Sequence, residues 1–384
     1  MTAYNRDELD ALATKNAASK WHQKGLLSDG QWQAIQEAHP SNFYTPNVFV
    51  RIGLAIFALI LVVAVMGLAA MITEPNSDSG LAAFGFVWGI IWIAVLETWA
   101  IRSVRHHGSG IDDVLLYTGV YCMVASWCSQ LSNGADALAY CFVAWPFLLA
   151  GSIRYCDRLM ALATFVCTLL IVLLTVNEIP GAALYLLPFA GMAFSAGVFW
   201  AVRKAQRRQQ WRHWNGSLAV LELASLLSFY ASGNYWVVQQ VAQEQFALEQ
   251  PPMGWFFWGF TMLVPLALIW QGIVRKERLL LDGGLAIVAA AVFTFRIYFH
   301  VMPWAWAALI AGAGLFLIAY FSIRYLQKNA GAYTYDADGQ KSMLQKVEEQ
   351  LIQQTISVQT APNPVKGEPM GGGQFGGGGA GSDF

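Results

Sequence analysis

Four side chains in one apolar stretch offer the clearest chemistry in the sequence: Glu222, Ser225, Ser228 and Ser232. At 100° per residue they fall within about one third of a helix circumference, so they form a polar stripe on an otherwise apolar helix. Two readings fit such a stripe. Either Glu222 is a proton or cation site on the wall of an aqueous or ligand-bearing cavity, or it is neutralised by a nearby arginine while the serines let helices pack closely. Arg296, in Phe295-Arg296-Ile297-Tyr298-Phe299-His300, is the second candidate. A guanidinium forks onto carboxylate or phosphate, which suggests anion recognition. The plainer alternative is snorkelling toward headgroups or pairing with Asp136 or Glu178. Glu222 and Arg296 belong to different depths, so no direct pair between them is expected.

Other reactive signatures are missing. The sequence has no phosphate-cradling Gly-Lys loop, no His-Glu-x-x-His zinc site and no Gly-x-Ser-x-Gly nucleophile turn. Its six histidines are scattered, and its five cysteines (Cys122, Cys128, Cys141, Cys156, Cys167) lack metal-ligand spacing. We therefore expect no catalytic residue, no metal, no cofactor and no nucleic-acid partner.

What must position these groups is a membrane. The chain has 384 residues, 56% hydrophobic and 12% charged, with a mean hydropathy of +0.44. Soluble domains carry about 25% charged residues, so most of this surface faces lipid or protein. The run from Val50 to Ile72 holds one charge, Arg51, at its start, and about 20 such residues cross a hydrocarbon core. Ten spans are expected, at 50–72, 81–101, 112–131, 135–152, 158–176, 182–202, 215–236, 254–274, 279–300 and 302–325. The third and fourth are the weakest. The fold class is thus all-α, a polytopic helical bundle; the long apolar runs lack the alternation of a membrane barrel. Of 23 Lys and Arg, only Arg296 falls outside the head, the tail and one alternating set of loops, which puts both termini in the cytoplasm. Pro146, Pro188 and Pro265 lie inside spans and can kink them. Residues 237–253 suggest a short interfacial helix. Glu97 and Asp282 lie near span ends, within reach of the interface.

Residues 1–48 are polar, and no cleavable secretory signal is expected. They read as a helical hairpin. Asn5 with Glu8 opens the first helix, Gly25 ends it in a left-handed turn, and Ser28 with Gln31 forms a second capping box. Trp21, Leu26, Leu27, Trp32 and Ile35 are expected to close the hairpin. The string Trp21-x-x-x-Gly25-Leu26-Leu27-Ser28, followed by Gln31, Ile35, a spacer and the first span, resembles an uncharacterised family of bacterial multi-pass membrane proteins, a domain of unknown function. The resemblance covers residues 15–72 as a motif. It implies a cytosolic hairpin on a many-span body in a bacterial inner membrane, and it carries no activity with it.

The domain plan is therefore a head (1–48), a transmembrane body (49–326) and a tail (327–384). In the tail, residues 340–358 suggest an amphipathic helix, and the Gly-rich end cannot bury enough surface to fold. A head and tail flanking a body without catalytic motifs suggest a non-enzymatic scaffold or regulator that binds the bilayer and a protein partner. The alternative is a transporter or permease for a small solute, built around Glu222, Ser225, Ser228, Ser232 and Arg296.

Overall fold

The computed structural model describes residues 2–131, 134–179 and 183–298, with a few isolated positions between 309 and 324. Most of the expected tenth span, and the whole tail from 327 to 384, lie outside the described residues. The described residues belong to one unit, Met1–Tyr335, and form twelve α-helices with no strand among them.

The head holds α1 (Arg6–Gln23) and α2 (Asp29–Ala38). The local signals work as chemistry requires. Ser28 and Gln31 exchange both capping-box hydrogen bonds, and Gly25 takes φ +71°. Asn5 caps α1, yet Glu8 does not complete a box: its carboxylate pairs with Arg105, 97 residues away. The hairpin also closes differently from expectation. Trp21 is 51% and Leu26 68% exposed. The contacts instead run through His22, stacked on Trp32 at 5.2 Å, and through Ser19, which accepts from Trp32 Nε1 and Gln36 Nε2.

The body holds α3 (Val48–Thr73), α4 (Asp78–Val95, extended by a π-helical stretch, Leu96–Ser103), α5 (Ile111–Cys128), α6 (Ala137–Tyr155), α7 (Arg158–Asn177), α8 (Ala183–Gln206), α9 (Asn215–Gly233), α10 (Tyr235–Phe246), α11 (Gly254–Arg275) and α12 (Arg278–Tyr298). Eight stretches are long and apolar enough to cross a membrane: α3, α4 with its extension, α6, α7, α8, α9 with the turn before it, α11 and α12. The exception among the expected spans in the described region is α5, an 18-residue helix whose first turn carries Asp112 and Asp113. It nevertheless lies along α4, antiparallel to it. A Cβ on Gly89 would stand 2.9 Å from the Gly119 carbonyl oxygen, and one on Gly119 would stand 2.8 Å from Ile93, so the two glycines let the backbones approach. Helix α10 falls in the expected interfacial segment, beginning two residues earlier than foreseen because Asn234 ends α9 and caps α10. Pro146, Pro188 and Pro265 each lie within a continuing helix.

Side-chain contacts sort the helix ends into two groups. Arg51 meets Asp113, Arg154 meets Glu97, Arg203 meets Glu277, and Trp214 Nε1 donates to the Ile153 carbonyl. These contacts gather the basic connections at one end. At the opposite end Tyr235, Phe257, Trp258 and Tyr298 cluster, where α9 gives way to α10, α11 begins and α12 finishes.

Candidate functional site

The stripe on α9 divides into two functions. Glu222 is 6% exposed and bound on both oxygens: Arg203 Nε donates to Oε1 at 2.8 Å, and Gln206 Nε2 to Oε2 at 2.9 Å. Arg203, in the last turns of α8, also grips Glu277 in the α11–α12 turn, and its guanidinium lies 4.6 Å from the Phe199 ring centre. One cation thus ties the end of α8 to α9 and to the α11–α12 turn. The serines turn inward on their own helix. Ser225 donates to the Glu222 carbonyl and Ser232 to that of Ser228, each at 2.9 Å. Ser232 also packs against Gly191 of α8, where a Cβ would stand 2.5 Å from its Oγ. Further along, Ser228 and Ser232 edge an apolar groove of about 350 Å³ with Pro188, Leu173 and Val238.

Arg296 sits half-buried in the last turn of α12. Glu222 shares the basic end with Glu277, which precedes α12, while Arg296 lies 18 residues beyond Arg278, about 27 Å along the helix axis. The structure does not bring Arg296 and Glu222 together. Asp282 pairs with Arg278 at 3.4 Å, and Glu97 accepts two hydrogen bonds from Arg154, at 2.5 and 2.7 Å, and one from Tyr155. The five cysteines are free. Among the described residues no three His, Cys, Asp or Glu side chains converge as a metal site.

The most developed polar site escapes the sequence reading. A chamber of about 390 Å³ lies at the basic end, lined by Arg51, Asp113, Tyr117, Asp157 and Arg158 together with Tyr4 of the head. Each acid is anchored. Asp112 accepts from the Gly108, Ser109 and Gly110 amides at 2.6, 2.8 and 3.1 Å and from Ser109 Oγ at 3.0 Å. Asp113 meets Arg51 at 2.5 Å. Asp157 caps α7 through the Met160 amide and accepts from the Tyr117 hydroxyl at 3.1 Å. The loop before α5 bends sharply, with Gly110 at φ +92° and its α-carbon so close to Arg51 that a Cβ would stand 2.3 Å from the Arg51 carbonyl oxygen.

The head completes this chamber. Tyr4 is 7% exposed and belongs to the same core as Leu96, Leu115, Leu116 and Tyr155. Its ring stands edge-on to His107 at 4.8 Å, and its hydroxyl donates to Asp112 at 3.4 Å. Burial first, then the Asp112 charge, raises the Tyr4 pKa and keeps the phenol neutral. The Ala3 amide donates to the Arg154 carbonyl at 2.8 Å, Glu8 meets Arg105 at 3.0 Å, and Asp10 pairs with Arg212. Burial lowers the pKa of His106 and His107 against the opposing pull of Asp112, favouring neutral rings. It pushes the Cys156 thiol up to about 11, so this chamber residue is no activated nucleophile. A cavity with fixed charges of both signs and aromatic walls is equipped to bind.

Two signals for this site were present in the sequence: adjacent acids opening an apolar span, and the preceding His106-His107-Gly108-Ser109-Gly110 loop. No protein-family model, no curated protein and no solved structure matches the chain.

Proposed function

We propose that this chain is a multi-pass protein of the bacterial inner membrane, with both ends in the cytoplasm, acting as a non-enzymatic scaffold or regulator. The observation that carries this reading is the head. Tyr4, Glu8 and Asp10 are engaged with the body, while Trp21 and Leu26, outside the spans, remain exposed on the hairpin. Exposed large apolar groups on a small polar hairpin suit a protein partner. The tail from 327 onward is a second partner-binding end under the same reading. The pairing of Glu222 with Arg203 and Gln206 supports it too, because a carboxylate so engaged is a structural tie. The test is a mild-detergent pull-down from native membranes, comparing the full chain with a Trp21→Ser/Leu26→Ser variant and with a form lacking 336–384. A protein held near-stoichiometrically by the full chain and lost from either form supports the reading. Equal recovery in all three sinks it.

A second reading, transport of a small solute, draws on the chamber of about 390 Å³ and the α8–α9 groove. Under it, Glu222→Gln or Arg296→Gln abolishes a measurable flux in a folded protein. Wild-type flux from both would remove these residues from the transport site.

A further inference from the structure

We propose that residues 2–10 form a releasable lid on the polar chamber, with the Tyr4 ring as the plug and the Glu8–Arg105 and Asp10–Arg212 pairs as catches. The argument rests on what remains when the lid lifts. Asp112 loses only the long Tyr4 bond and keeps its four donors from Gly108, Ser109 and Gly110. No buried charge is orphaned, so the usual penalty for breaking a buried polar contact does not arise. Arg105 and Arg212 are already about half exposed, and on release they and their carboxylate partners pass to water. One backbone hydrogen bond, Ala3 to Arg154, and the 3.6 Å contact of Asp10 with His213 are surrendered.

The walls do not depend on the lid. Arg51 with Asp113 joins α3 to α5, Tyr117 with Asp157 joins α5 to the start of α7, and Ser217 Oγ donates to the Cys156 carbonyl to join α9 to the α6–α7 turn. Lifting residues 2–10 therefore removes Tyr4 and Leu9 from the lining and opens a preformed polar cavity further. The resistance to opening is concentrated in the burial of one ring, Tyr4, with Leu9 beside it. A lid of this kind controls access of small polar solutes to the chamber, and this inference stands whether or not Trp21 and Leu26 bind a partner.

Cys156, on the chamber wall, is a built-in reporter. Cys122 and Cys167, buried in the bundle, are internal references. The experiment maps N-ethylmaleimide alkylation of each cysteine in the full chain in detergent micelles, at low and high sodium chloride. In the wild type, salt weakens the catches and raises the Cys156 rate about threefold, with the references unchanged. Tyr4→Ala raises it about fivefold or more, because a local opening uncovers the rest of the half-buried residue. Tyr4→Phe keeps the protection, since the ring is the plug. Asp10→Arg opens the lid, and adding Arg212→Asp closes it again. An unchanged Cys156 rate in Tyr4→Ala overturns the proposal, as does a parallel rise at all three cysteines without restoration by the paired charge reversal. Should Tyr4→Ala fail to fold, the wild-type salt response decides: a Cys156 rate indifferent to salt also overturns it.

Discussion

The two ends of the bundle are fastened by different chemistry. At the basic end, guanidinium groups reach across helix termini to carboxylates, as in Arg51–Asp113, Arg154–Glu97 and Arg203 with its two glutamates. At the opposite end, Asn234 does comparable joining without charge. Its side chain donates toward Tyr230 and Thr294, at 3.0 Å each, and accepts from the first amides of α10; Thr261 Oγ1 accepts from the Tyr235 amide. Rings fill the space around them. Charge is cheap to hold where water is within reach and costly where it is not. The charged end can therefore be loosened by salt and pH, whereas the neutral end responds to neither.

Mutations test that contrast directly. The largest effect is expected from Arg203→Ala, which leaves buried Glu222 without its cation and costs about 3 kcal/mol or more, read as a fall in thermal unfolding temperature in detergent. Asn234→Leu should cost about 2 kcal/mol by the same assay, since it removes a helix cap and strands Thr294, and its effect should not vary with salt. Equal salt sensitivity of these two variants would erase the distinction between the ends. Gly89→Ala, at the centre of the α4–α5 contact, should cost about 1–3 kcal/mol by overpacking against the Gly119 carbonyl, again independently of salt.

The proton should act at the basic end alone. His106 and His107 titrate below the ordinary value when folded, chiefly because they are buried. The unfolded chain then takes up protons first as pH falls through about 6.5, so stability is flat above that pH and declines below it. The double variant His106→Asn/His107→Asn should flatten the profile, while Asn234→Leu leaves its shape unchanged. The smallest effect is expected from Glu8→Gln, at most about 1 kcal/mol and absent at high salt, because its pair with Arg105 is partly exposed.

The sequence discloses whatever is periodic or local. Apolar runs mark α3, α7 and α12, and the Ser28–Gln31 box and Gly25 mark the hairpin, because each signal lies within a few residues. The partners of Glu222 were not legible by name. Arg203 lies 19 residues away on another helix, and only helix packing brings the two together. Tyr4 was harder still. A single aromatic ahead of the first helix has no periodicity, and its burial depends on α5 and on a loop more than a hundred residues downstream. The α9 serines share a face by their spacing, yet a face does not say whether a cavity or a neighbouring glycine lies opposite. Ser232 met Gly191.

The pairing of α4 with α5 has a consequence for how the chain is made. With two aspartates in its first turn, α5 has little drive of its own to enter hydrocarbon, whereas α4 with its extension is long and apolar enough to cross a membrane. Gly89 and Gly119 leave the two helices no room for lipid between them. Partitioning as one hairpin would let α4 supply the apolar drive that α5 lacks. The order of partition is written in the difference between one strongly apolar helix and its more weakly apolar partner.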